Sequence, residues 1–156
     1  MIRVQREDFD VGAELAALTE GNHAVGGLAV FVGLVRDRVG GETLGAMTLE
    51  HYPGMTETML ERIEAEANER WPLQASLIVH RVGRLEPGER IVLVAAASAH
   101  RQAAFEACQF LIDWLKTKAP FWKQEEMESG ATWVEAHGRD DQAAKRWLTR
   151  DPDAAQ

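Results

Sequence analysis

Lys116, Lys118 and Lys123 are three of the chain's four lysines, and they fall within eight residues, in the run Leu115-Lys-Thr-Lys-Ala-Pro-Phe-Trp-Lys-Gln-Glu125. A lysine ammonium is a compact charge whose pKa falls readily on burial, so it can donate a proton, accept one or hold an anion. Elsewhere the chain relies almost wholly on arginine for positive charge, and its formal net charge is −8. Lysines gathered beside Pro120, Phe121 and Trp122 point to an anion or proton-transfer site. A basic helix end fits the same charges, because cations near a helix C-terminus are favourable there.

Two further groups of residues have types suited to such a site. His100 and Arg101 follow an apolar stretch and open a long amphipathic segment, where imidazole, guanidinium and backbone N–H groups could clamp an anion. A helix cap and a surface ion pair account for the same two residues. Arg36 follows the apolar run Leu28–Val35, which would hold it at the rim of a rigid strand; a solvated loop arginine is the alternative. Lys116 and Arg101 are fifteen residues apart, about 22 Å along a straight helix. They cannot both touch one small ligand from the same helix. If both serve one site, two subunits share it.

No nucleophile stands out. Cys108, the only cysteine, lies among Phe105, Leu111 and Ile112 and reads as a small core residue. It excludes an intrachain disulfide. The five histidines (His23, His51, His80, His100 and His137) show no i,i+4 pairing, and nothing points to a zinc or iron site. There is no GxGxxG after a strand and no P-loop, so neither a dinucleotide nor a triphosphate cofactor is indicated. The acidic balance argues against general nucleic-acid binding. The apolar runs are far short of the roughly 20 residues that span a bilayer. The N-terminus lacks a signal-peptide core, and the expected location is the cytoplasm.

The elements that must position these residues follow from periodicity and breakers. Ile2–Arg6 alternates like a strand, and Asp10 caps a helix through Leu18 that stops near Gly21. Val25–Val35 reads as a buried strand, and Leu44–Tyr52 as a second one pairing with it across the loop 36–42. A helix begins at Pro53-Gly-Met-Thr and runs to about Arg70, with Met59, Ile63 and Ala67 inward. Leu77–Val82 and Arg90–Ala97 are strands joined by the turn-rich 85–89. A second long helix spans Arg101–Lys118 and stops before Ala119-Pro120, because the residue before proline is biased away from helix. Its inward side carries Phe105, Cys108, Ile112 and Leu115, with Lys116 at the margin, where partial desolvation would suit it to proton transfer. Lys118 turns to another face. Extended pieces near 122–127 and 132–136 and a short helix over 140–147 complete the order. The last residues, 149–156, are expected to be disordered. Paired strands between helices predict an α+β sandwich with largely antiparallel pairing and a small β-rich subdomain, forming a single domain over residues 1–148.

Four segments carry a resemblance. Leu49-Glu-His-Tyr-Pro-Gly-Met-Thr-Glu57, His80-Arg-Val-Gly83, Ser98-Ala-His-Arg101 and Leu115–Glu125 are similar, in order and over roughly residues 2–148, to the large catalytic subunit of molybdopterin synthase, the MoaE family. The resemblance implies an α/β hammerhead-type fold and a homodimer within a heterotetramer, with a small ubiquitin-like sulfur-carrier subunit at each end. It implies that the partner's C-terminal Gly-Gly thiocarboxylate donates sulfur to cyclic pyranopterin monophosphate, twice, to build the dithiolene of molybdopterin. A supplied sulfur fits a chain without its own nucleophile. Carried over position by position, Lys116 matches the catalytic lysine. Lys123, Gln124 and Glu125 match a segment that contacts substrate and lies near the incoming tail, with Lys123 as a second catalytic candidate. His100 and Arg101 match an anion-binding pair, and Leu34, Val35 and Arg36 another substrate-contacting stretch. His137 stands where some relatives carry arginine. A non-catalytic scaffold that binds a ubiquitin-like tail is the alternative reading.

Overall fold

Asp10 starts the first helix as expected: its Oδ1 accepts from the Ala13 N–H at 2.8 Å, satisfying one of the backbone donors that a helix start leaves open. In the computed structural model, which describes residues 1–134 and 138–148, this helix is α1 (Val11–Thr19), after strand β1 (Ile2–Gln5). There follow β2 (Gly27–Leu34), β3 (Arg38–Val39), β4 (Glu42–His51), α2 (Met55–Arg70), β5 (Leu73–Arg81), β6 (Gly83–Leu85) and β7 (Arg90–Ser98). The chain continues through α3 (Arg101–Lys118), β8 (Phe121–Met127), β9 (Gly130–Val134) and α4 (Gly138–Lys145). The expectations for His137 and for 149–156 lie outside the described residues.

The strands form two sheets. The first has the order β1-β5-β7-β2; β1 runs parallel to β5, and the other pairs are antiparallel. The second has the order β3-β4-β8-β9, with β6 also on β4, all antiparallel. The α+β class and the largely antiparallel pairing therefore hold, and the β-rich unit is this second sheet.

The expected pairing of the two strands flanking loop 36–42 does not occur. β2 pairs with β7, and β4 pairs with β3, β6 and β8. Their patterns explain the separation. β2 is apolar on both faces, as is β7, and continuous apolar strands belong in a layer covered from two sides. In β4, buried Leu44, Ala46, Met47 and Leu49 give way to exposed or half-buried Gly45, Thr48 and Glu50, which suits a sheet with one wet face. The helices cover the first sheet on both sides. Ile78, Val94 and Ala96 pack towards α2 and α3 residues such as Leu60 and Leu111. Leu77, Val79, Leu93 and Ala95 face Phe9 and the α1 side chains Val11 and Leu15.

Inside α2 the buried residues are Thr56, Leu60, Ile63 and Ala67, with Met59 only partly buried against them. α3 ends at Lys118, and Ala119 is extended at ψ 131° ahead of Pro120, as the proline requires. Its buried arc is Ala104, Ala107, Cys108, Phe110, Leu111, Trp114 and Leu115. Phe105 is 66% exposed and does not belong to it. The helix is covered by the sheet on one side and by α2 and α4 on another, so the arc is centred further round than a single apolar stripe suggests. That shift leaves Phe105 outside and puts Lys116 in solvent contact, rather than partly desolvated.

Candidate active site

The end of β2, the inner face of the second sheet and the C-terminal end of α3 enclose a cavity of about 410 Å³. Leu34, Arg36, Lys116, Lys123 and Glu125 all line it. Five of the nine residues singled out from the sequence thus meet in one place. Apolar side chains from β4, β7 and α3, including Leu49, Val92 and Leu115, make the rest of the wall.

Strand alternation decides which β8 residues point inward. Lys123 lies opposite Leu49 and Glu125 opposite Met47, and all four line the cavity. Gln124, opposite Thr48, projects to the other face because successive strand side chains alternate. On that outer face Tyr52 and Trp122 pack edge to face, 4.1 Å between centroids. Gln124 is therefore not brought to the site.

Lys123 Nζ sits 3.2 Å from Glu125 Oε1, and the carboxylate is 7% exposed against 30% for the lysine. A buried carboxylate needs a cation or donors to stay ionised, and here the pair also fixes the lysine head inside the cavity. Arg36 and Lys116 are exposed and form no ion pair among the described residues. The cavity wall carries three cations, Arg36, Lys116 and Lys123, against the carboxylates of Glu125 and Asp140. A locally cationic pocket therefore exists within an acidic chain.

Val35 does not line the cavity. Its side chain is 3% exposed, its N–H donates to the Glu89 carbonyl at 2.9 Å, and its own carbonyl accepts from Gly88 N–H at 2.8 Å. With both backbone groups engaged, it is a pivot that fixes the end of β2, with Leu34 and Arg36 free on either side. The turn it binds is itself held by Arg81, whose buried guanidinium donates to the Arg90 carbonyl at 3.0 Å and pairs with Glu89 at 3.3 Å.

His100 and Arg101 sit at the opposite end of α3, exposed, and neither lines the cavity. They lie beside the start of β2: a Cβ built on Gly27 would be 3.4 Å from the Arg101 Cα, and one on Gly26 would be 2.1 Å from the Ala99 carbonyl oxygen. Glycine at 26 lets the chain pass this helix start. The separation of the two basic groups read from the sequence is real within one chain.

The cavity also contains a residue the sequence reading left out of the site. His80 lines it, buried at 5% exposure and stacked on Phe121. A polar side chain directly following Leu77-Ile-Val in a buried strand was the available signal. The one thiol is not in the cavity wall: Cys108 is buried, and desolvation pushes its pKa up to about 11.

The chain that builds this cationic cavity matches known proteins over nearly its full length. The family model described as MoaE protein matches residues 4–118. The chain belongs to the MoaE family. The molybdopterin synthase catalytic subunit of Mesorhizobium japonicum is 60% identical over 148 residues, covering 94% of this chain and 92% of that protein. Among solved MoaE structures, the molybdopterin biosynthesis MoaE protein of Burkholderia ambifaria superposes with a TM-score of 0.83 at 53% identity, covering 96% of this chain and 99% of the other. Molybdopterin synthase from Staphylococcus aureus gives a TM-score of 0.80 at 32% identity, over 85% of this chain and 96% of that one. The MoaE fold is thus shared over 85–96% of this chain.

Among the described residues, no group of three or more His, Cys, Asp or Glu side chains could hold a metal ion. No helix is long and apolar enough to cross a membrane.

Proposed function

We propose that this chain is the catalytic subunit of a molybdopterin synthase, working in the cytoplasm as one domain over residues 1–148. It transfers two sulfurs from the C-terminal thiocarboxylate of a small ubiquitin-like partner to cyclic pyranopterin monophosphate. The observation that carries the reading is the convergence of Arg36, Lys116 and Lys123 on one cavity, in a chain whose one thiol is buried away from that cavity wall. Such a site can bind and polarise anions but supplies no sulfur of its own, so the sulfur must enter on the partner's tail.

The roles follow from position. Lys116, exposed at the cavity wall with its charge unpaired by the described residues, acts as general acid/base and stabilises negative charge as the thiocarboxylate attacks. Lys123, held by Glu125, is oriented to bind the pterin and the tail carboxyl. Arg36 takes an anionic group at the rim, and Leu34 gives apolar contact. His100 and Arg101 form the phosphate-binding half, supplied by the neighbouring subunit of a homodimer, itself the centre of a heterotetramer.

Mixing subunits tests the sharing. Heterodimers of a His100→Ala/Arg101→Ala chain with a Lys116→Ala chain contain one intact composite site and should regain up to about half the wild-type rate per dimer, while each parent homodimer is inactive. Verified heterodimers with no activity would place the whole site in one chain. Binding of the pterin precursor by this chain alone separates the enzyme from a scaffold that holds only the tail.

A further inference from the structure

His80 faces the cavity with one nitrogen committed and the other available. Nδ1 lies 2.7 Å from the Arg81 carbonyl oxygen; a carbonyl only accepts, so Nδ1 carries the proton. The ring lies against Phe121, 3.8 Å between centroids and 15° between planes. Burial lowers its pKa to about 4, the Arg81 carbonyl opposes that shift in part, and the charges of Lys116 and His51 add to it. At neutral pH the ring is uncharged and Nε2 presents a lone pair, with no hydrogen bond to it among the described residues.

The charged groups around it are few. Arg36, Lys116 and Lys123 are donors only, Glu125 is taken by Lys123, and Asp140 on α4 is the other carboxylate of the wall. His51 lies beyond Phe121, 6.4 Å from it between centroids. An ammonium that enters this cavity from Lys116 needs an acceptor, and a neutral imidazole supplies one without cancelling the charge that binds the anionic reactants.

We propose that His80 is a positioning residue of this site: its Nε2 accepts a hydrogen bond from the Lys116 ammonium and holds that charge within the cavity. The proposal rests on the catalytic reading of Lys116 given above. It assigns a task to a residue otherwise explained as a ring filling space under Phe121.

Two measurements on the full-length protein decide it. With ¹⁵N-labelled histidine and no substrate, Lys116→Met should move the His80 Nε2 resonance and leave Nδ1 in place, and Asp140→Asn should move neither. With thiocarboxylated partner and pterin precursor, His80→Phe, which keeps a ring against Phe121, should lower kcat roughly tenfold to a hundredfold with little change in KM. His80→Gln, which restores an acceptor, should recover part of the loss. An unmoved Nε2 in Lys116→Met, a loss confined to KM, or no recovery with glutamine would overturn the proposal. If His80→Phe does not fold, the resonance measurement, which keeps His80, still decides. Normal turnover by Lys116→Ala would refute the catalytic reading, while the resonance result reports the His80–Lys116 contact separately.

Discussion

Lys123 and Glu125 stand two residues apart on the same face of β8, and their charged heads meet at 3.2 Å inside the cavity, with the carboxylate nearly sealed from water. The pair is asymmetric. Glu125 depends on Lys123 for its charge to be tolerated, whereas Lys123 keeps some contact with solvent.

Removing the lysine should therefore cost more stability than removing the acid. Lys123→Met strands a buried carboxylate and should destabilise the fold by about 1–3 kcal/mol, while Lys123→Met/Glu125→Gln recovers part of that. Urea denaturation of the wild type, Lys123→Met, Glu125→Gln and the double variant measures the cycle. A loss in the double variant equal to the sum of the two single losses would mean that the pair is not coupled. In sulfur-transfer assays Gln124→Ala should leave turnover near wild type, because its side chain points to the outer face.

The buried histidine makes a pH prediction. In the fold His80 stays neutral down to about pH 4, whereas an ordinary histidine titrates near 6.5. Between those values the unfolded chain binds the extra proton, so stability rises with pH across that window. The contribution is complete above the upper value and is lost as pH falls towards the lower one; it amounts to about 3 kcal/mol. His80→Phe should flatten this part of the pH–stability curve. A variant curve as steep as the wild type's would assign the acid sensitivity to other groups.

Cys108 should be chemically silent in the native protein. Its Sγ is buried, 3.8 Å from the Val94 carbonyl, and its raised pKa leaves little thiolate at pH 8. Alkylation by iodoacetamide should be slower than for a free thiol by on the order of a hundredfold and should become normal in denaturant. Cys108→Ala should retain sulfur transfer. Loss of transfer in that variant, with the fold intact, would require a thiol intermediate on this chain.

Much of this architecture could be read from local chemistry. Pro120 announced the end of α3, Asp10 the start of α1, and the lysines around Pro120 the position of the cavity. These features depend on a few adjacent residues. The partner of β4 was not legible, since a hairpin across 36–42 and the observed separation differ only in long-range burial. Phe105 lies on the expected side of α3 yet is exposed, because helix periodicity reports angles, not which neighbours cover them. Gln124 and Val35 come from the resemblance alone; strand alternation turns the first to the outer face of β8, and bonding to 88–89 buries the second. His80 was passed over because a lone histidine in an apolar strand looks like core until the cavity beside it is seen.

The role proposed for Lys116 is sulfur transfer at this cavity. The most direct measurement is a single-turnover assay of Lys116→Ala with thiocarboxylated partner and cyclic pyranopterin monophosphate, accompanied by partner-binding and thermal-melting controls. Conversion should fall by roughly 10²-fold or more while partner affinity and melting temperature stay near wild type. Conversion at the wild-type rate would contradict it.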